Sequence, residues 1–156
     1  MAIAPNTTFV SGAVLTAAQM NALPWGVVAL TKVTGNQTID STAVIAVTAS
    51  TFTAVANRYY RITYFEPQVP QVQNNNSVSL FINLTNTAGA IYGSAVQINT
   101  TAVSGAANAV TLVAVTTLTA GSTVLVGTAV SPGASVSMVR NANQPAFILV
   151  EDIGPA

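Results

Sequence analysis

The chain has 156 residues, a formal net charge of zero and 5% charged side chains, while 51% of its residues are hydrophobic. That length suits one domain with a sizeable core, and the hydrophobicity argues against disorder. Four basic and four acidic residues, with no histidine and no cysteine, exclude a phosphate-tracking basic surface, a disulfide framework, thiol or imidazole catalysis and the usual zinc ligands.

Solubility must then come from Thr, Ser, Asn and Gln. A surface of that kind repels neighbours weakly, which suits a subunit covered in an assembly. A monomer with a neutral, hydroxyl-rich exterior is the alternative. The opening Met1-Ala2-Ile3-Ala4-Pro5 has no basic region followed by an apolar run, so no secretory signal is expected. The apolar runs near Pro24–Leu30 and Ala109–Val115 are too short to span a bilayer, and no basic amphipathic helix points to a membrane surface. Neither membrane nor nucleic acid is an expected partner.

In chain order, Met1 to Val14 reads as an extended arm with Phe9 and Val10 as its anchors. Leu15 to Leu23 is the one expected helix. Thr16 and Gln19 match a capping box, Ala17, Ala18, Gln19 and Met20 favour helix, and Pro24 ends it. Met20 and Leu23 share a face. The segment is either a cap over the open end of a sheet or a docking peg. From Trp25 the pattern is β: Trp25–Thr34, Thr42–Thr48, Phe52–Ala56, Arg58–Phe65, Ser77–Asn83, Ala90–Asn99, Ala109–Leu118, Thr123–Val130, Ser135–Val139 and Ala146–Ile153. Long polar loops are expected over Pro67–Asn76 and Thr100–Asn108, and a turn at Ala120-Gly121-Ser122. Short β-branched strands between Gly, Pro, Asn and Ser turns predict an all-β sandwich or barrel.

Arg58–Phe65 holds three of the four tyrosines and two of the four basic residues. Strand alternation puts Arg58, Tyr60, Ile62 and Tyr64 on one face and Tyr59, Arg61, Thr63 and Phe65 on the other. Tyr60, Ile62 and Tyr64 are expected in the core, and Tyr59, Arg61 and Phe65 against a neighbouring subunit or sheet. The arginines are expected to stack on a ring or pair with Glu66, Glu151 or Asp152; contact with a ligand or receptor is the other reading. Glu151 and Asp152 are adjacent and so face opposite ways on a strand, which separates the paired carboxylates a glycosidase needs. A calcium ion near them finds no loop with oxygen ligands at regular spacing. No enzyme activity, cofactor or metal is expected.

Three stretches resemble small virion proteins of tailed bacteriophages. Phe9-Val10-Ser11-Gly12-Ala13-Val14-Leu15-Thr16-Ala17-Ala18-Gln19-Met20-Asn21 is similar to their "G-x-x-L-T-A-A-x-x-N" opening. Arg58-Tyr59-Tyr60-Arg61-Ile62 resembles their "R-x-Y-R-I" strand, and Phe147 to Pro155 their closing "L-x-V-x-D-I-G-P". The matches lie in family order and bracket most of the chain; 74–143 matches in general character alone. The resemblance implies a virion protein assembled in the host cytoplasm. Its fold would be a jelly-roll-like antiparallel β-sandwich over 25–156, behind an N-terminal docking arm and short helix over 1–24. It would act as a homotrimeric capsid decoration or head-fibre protein on the major capsid or other virion proteins. Particle docking would fall to Phe9, Val10, Leu15, Met20, Leu23 and Trp25. The alternative is a minor tail or tail-tip protein that binds a receptor or host surface glycan.

Overall fold

The structure is a computed structural model and describes residues 12, 14, 16–21, 23–70, 77–98 and 107–156. The expected helix is present as α1, Ala17–Asn21. Its capping box forms: the Thr16 N–H donates to Gln19 Oε1 at 2.9 Å, and the Gln19 N–H donates to Thr16 Oγ1 at 3.2 Å. Twelve strands follow among the described residues: β1 Gly26–Val33, β2 Gln37–Ile39, β3 Val44–Thr48, β4 Phe52–Ala54, β5 Arg58–Pro70, β6 Ser77–Leu84, β7 Ile91–Ile98, β8 Ala107–Thr117, β9 Gly121–Thr123, β10 Leu125–Val130, β11 Val136–Met138 and β12 Ala146–Pro155.

The longer strands make two four-stranded antiparallel sheets, ordered β1-β12-β5-β8 and β3-β10-β6-β7. Counting those eight strands along the chain, the sheets read 1-8-3-6 and 2-7-4-5. Two Greek keys wound into a jelly roll give this order. The protein is thus an all-β antiparallel sandwich. The short strands pair as two ribbons, β11-β2 and β4-β9.

Between the sheets lie Tyr60, Ile62 and Tyr64 of β5, Ile148 and Val150 of β12, Leu80 and Ile82 of β6, and Leu125 and Ala129 of β10, all buried. The Tyr64 ring crosses the layer to β10, where a Cβ built on Gly127 would sit 2.7 Å from it. Only glycine leaves that ring its place. The Tyr60 hydroxyl accepts the Val55 N–H at 2.8 Å, so a buried polar tip is satisfied.

Four expectations need correction. β5 does not give way to a loop at Pro67 but runs thirteen residues to Pro70. Its ladder to β8 shifts register between Glu66 and Val69; that bulge accommodates the proline, and fully buried Val69 holds the strand beyond it. Gly121-Ser122 is not a turn: it belongs to β9, with Gly121 at φ +126°. Gln37–Ile39 is a strand because Ile39 is fully buried and pairs with Val136. Three residues carry no readable periodicity. The helix is also shorter than Leu15–Leu23. Loop segments 71–76 and 99–106, and the arm over 1–11, lie outside the described residues.

Candidate functional site

The three stretches that carry the sequence resemblance meet in space. Arg58 opens β5 and is 5% exposed. Its Nε and Nη2 donate to the two carboxylate oxygens of Asp152, the Nη2 bond at 2.6 Å. Nη1 donates to the Asn21 carbonyl and Nη2 to the Leu23 carbonyl, each at 2.6 Å. These carbonyls lie at the last residue of α1 and two residues beyond it, where backbone acceptors are otherwise unpaired. Trp25 covers the guanidinium, with the ring centroid 4.3 Å away. Asp152 also accepts the N–H of Gly154 at 3.0 Å. Gly154 has φ +119°, where the β12–β5 ladder bulges, and only a glycine adopts that conformation without strain. One arginine therefore clamps the N-terminal helix to the first and last motifs of the domain.

The clamp holds backbone and leaves side chains outside. Met20 is 56% exposed, Leu23 37% and Trp25 51%. Of the residues expected to dock, these three present open apolar surface beside the clamp. Phe9, Val10 and Leu15 lie outside the described residues.

The opposite faces of β5 behave as alternation requires. Tyr59, Thr63 and Phe65 are half-buried and Arg61 is exposed, all on the outer face of the first sheet. Register fills in their neighbours. Leu30, Leu149, Thr63 and Val113 form one row across the four strands, and Lys32, Phe147, Phe65 and Thr111 the next. Val27, Glu151, Arg61 and Val115 form another. Val27, Val113 and Val115 are each 57–58% exposed, and Leu30 is 46%. The Phe65 and Phe147 rings stack at 5.2 Å and 28°. Amid these apolar groups, Arg61 Nε donates to Glu151 Oε2 at 2.8 Å. That hydrogen bond holds the Glu151 carboxyl below its ordinary pKa and the Arg61 guanidinium above its own. The face is apolar and its central charges cancel.

The outer face of the second sheet exposes Ile45 at 41%, opposite Thr128, but its centre is polar. There Asn83 and Thr128 are buried and bonded, Thr128 Oγ1 donating to Asn83 Oδ1 at 2.8 Å. The Asn83 amide donates to the Gly89 carbonyl at 3.2 Å. These two polar side chains are paired within the chain.

The remaining arginine, Arg140, is buried against Glu66. Its Nε donates to Glu66 Oε2 at 3.0 Å and its Nη1 to the Ala46 carbonyl at 3.2 Å; Nη2 donates to Glu66 Oε1. The Tyr64 hydroxyl donates to the same carboxylate at 2.6 Å. Burial first, then the Glu66 charge, pushes the Tyr64 phenol well above its ordinary value. This triad was not anticipated, since Glu66 was expected to serve Arg58 or Arg61. Nothing local marks a partner 74 residues away. The apolar outer face did have a signal: in Ala109–Val115 both alternate sets are apolar but for Thr111, as in strands covered on both sides.

A recess of about 350 Å³ opens beside the stacked rings, lined by Lys32, Phe65, Pro67, Asn143, Gln144 and Phe147. Chemically the arrangement can bury surface and hold segments; each of Glu66, Glu151 and Asp152 is bound to an arginine. Among the described residues no three potential metal-ligating side chains converge, and no helix is long and apolar enough to cross a membrane.

No protein-family model and no curated protein matches the chain. A solved structure from Bacillus endospore appendages, described as a novel family of disulfide-linked pili, is similar at 15% identity, over 84% of this chain and 91% of that one, with a TM-score of 0.38.

Proposed function

We propose that this protein is a non-catalytic structural subunit of a phage particle, a decoration knob that associates as a trimer and docks through its N-terminal segment. The observation that carries the reading is the outer face of β1-β12-β5-β8, where Val27, Leu30, Val113 and Val115 stand open around a self-neutralised Arg61–Glu151 pair. A sheet face that stays in water is usually polar. A contiguous apolar face marks an interaction surface, and a chain of zero formal net charge does not repel its own copies. The phage setting rests on the three sequence stretches, and the clamp supports a docking role for the first of them. Arg58 fixes the helix by its carbonyls, which frees Met20, Leu23 and Trp25 for a partner.

Removal of residues 1–23 tests the docking half. The expected outcome is loss of co-sedimentation with particles and a retained β circular-dichroism signature. Retained co-sedimentation contradicts it. The recess beside Phe65 and Phe147 supports a second reading, a glycan-binding module at a tail tip, because stacked rings flanked by amide side chains suit a sugar ring. Under that reading Phe147→Ala abolishes glycan binding in calorimetry and leaves particle attachment intact.

A further inference from the structure

The charged side chains form an almost closed set. The chain has four basic and four acidic residues, and all of them are described. Six are matched: Arg58 with Asp152, Arg61 with Glu151, Arg140 with Glu66. Two remain, Lys32 and Asp40, of opposite sign and both exposed. Neither has a charged partner among the described residues. In a protein this poor in charge, Lys32 and Asp40 are, among the described residues, the charged side chains left for a partner to neutralise.

Their settings are those of contact residues. Lys32 stands on edge strand β1, opposite Phe147 in the register, on the apolar outer face and at the rim of the recess. Asp40 follows β2 and is held in place. Its Oδ1 accepts the Thr42 N–H at 2.8 Å, and its carbonyl accepts the Ser131 N–H at 2.7 Å. That turn leads into β3, the edge strand of the second sheet. The cation thus sits on an edge strand of one sheet, and the anion is presented rigidly beside an edge strand of the other.

We infer that Lys32 of one copy pairs with Asp40 of a neighbouring copy, and that this contact sets the register of the self-associated form. The inference rests on the self-association proposed above and names the contact that orients it. A second copy is the occupant because it brings the one missing charge of each sign in equal number. The assembly then has no unmatched charged side chain, and the recess beside Lys32 is closed by the neighbour. Complementary charges at an interface fix orientation and exclude wrong pairings more than they add affinity.

The test is a charge exchange read by light scattering at low ionic strength, with circular dichroism as the folding control. Wild type is compared with Lys32→Glu, Asp40→Asn, Asp40→Lys and the double variant Lys32→Glu/Asp40→Lys. Asp40→Asn keeps an oxygen for the Thr42 N–H and removes only the charge. Each single variant is expected to weaken association about tenfold, and the double exchange to recover most of it. Raising salt should weaken wild type and strengthen Lys32→Glu, because it screens the attraction in the first and the carboxylate–carboxylate repulsion in the second. An oligomeric wild type whose single variants associate normally overturns the contact and leaves self-association standing, as does a double variant no better than the singles. A wild type that is monomeric throughout overturns both. If Lys32→Glu leaves the mass unchanged and abolishes binding of an acidic oligosaccharide, Lys32 serves a glycan and the contact is overturned.

Discussion

Strand β5 shows its two faces to different surroundings. Inward, Arg58, Tyr60, Ile62, Tyr64 and Glu66 are each at most 5% exposed, and their polar atoms are tied to Asp152, the helix carbonyls, the Val55 N–H and Arg140. Outward, Tyr59, Arg61, Thr63 and Phe65 have almost as much bulk, yet they stand half open in a sheet face lined with valines and leucines. The inner face is complete within one chain: burying a charge is costly unless it is paired and hydrogen-bonded, and here each is. The outer face is complete in charge, through Arg61 and Glu151, but not in burial. Mutations on the two faces should therefore separate folding from assembly.

The largest effects belong to the inner face. Glu66→Gln strands the buried Arg140, and Asp152→Asn strands the buried Arg58. Each should lower stability by about 3–5 kcal/mol in urea denaturation, since breaking a buried pair leaves an uncompensated charge. The two should differ in reach. Asp152→Asn also loosens α1 and moves the Trp25 fluorescence, because that ring lies over Arg58; Glu66→Gln should leave the fluorescence unchanged.

A smaller effect comes from pH. The Tyr64 phenol is raised by burial and by Glu66, so the folded state holds that proton more tightly than the unfolded chain. Stability from this group is fully present below the unfolded tyrosine value of about 10 and is lost as pH rises toward the folded value. The urea midpoint should fall steeply above about pH 10, and Tyr64→Phe should flatten the fall. A wild-type profile with no alkaline limb contradicts the account of the triad.

The smallest folding effect belongs to the outer face. Glu151 has its pKa lowered, first by the Arg61 hydrogen bond, so the pair stabilises above the unfolded carboxylate value and stops doing so as pH falls through the folded one. It is exposed and salt-screened, so Arg61→Gln should barely move the urea midpoint at neutral pH. Any difference from wild type should vanish in acid. Association is where Tyr59→Ala and Arg61→Ala should register. If either destabilises the monomer as much as Glu66→Gln does, the division between the faces is wrong.

The sandwich was largely legible from alternation. β12 switches sides residue by residue, as β5 does up to its bulge after Glu66, and their burial follows that pattern. The capping box of α1 was legible because it is local. Strands β2 and β9 were not, since three residues cannot show a period and their reason for pairing, such as the buried Ile39, is tertiary. Of the arginines, Arg58 and Arg61 were expected to meet a ring or one of Glu66, Glu151 and Asp152; the adjacent carboxylates of the final motif face opposite ways and take one arginine each. Arg140 could not, because its partner is chosen by how β11 and β5 come together. The clamp was visible only in part: Arg58 was expected to find an acid or a ring, and it finds both, but its hold on the helix carbonyls needs the backbone in place.

The central claim is that the apolar outer face of β1-β12-β5-β8 is covered by further copies of the chain. Light scattering coupled to size exclusion, on wild type and Val113→Glu over a range of concentrations, tests it most directly. Val113 is 58% exposed on that face, so a carboxylate there leaves the fold intact and puts charge into the contact. The account predicts a wild-type mass three times the 15.8 kDa of one chain, and a single-chain mass for folded Val113→Glu. A wild type that stays at the mass of one chain at every concentration, or a Val113→Glu variant that assembles as wild type does, contradicts it.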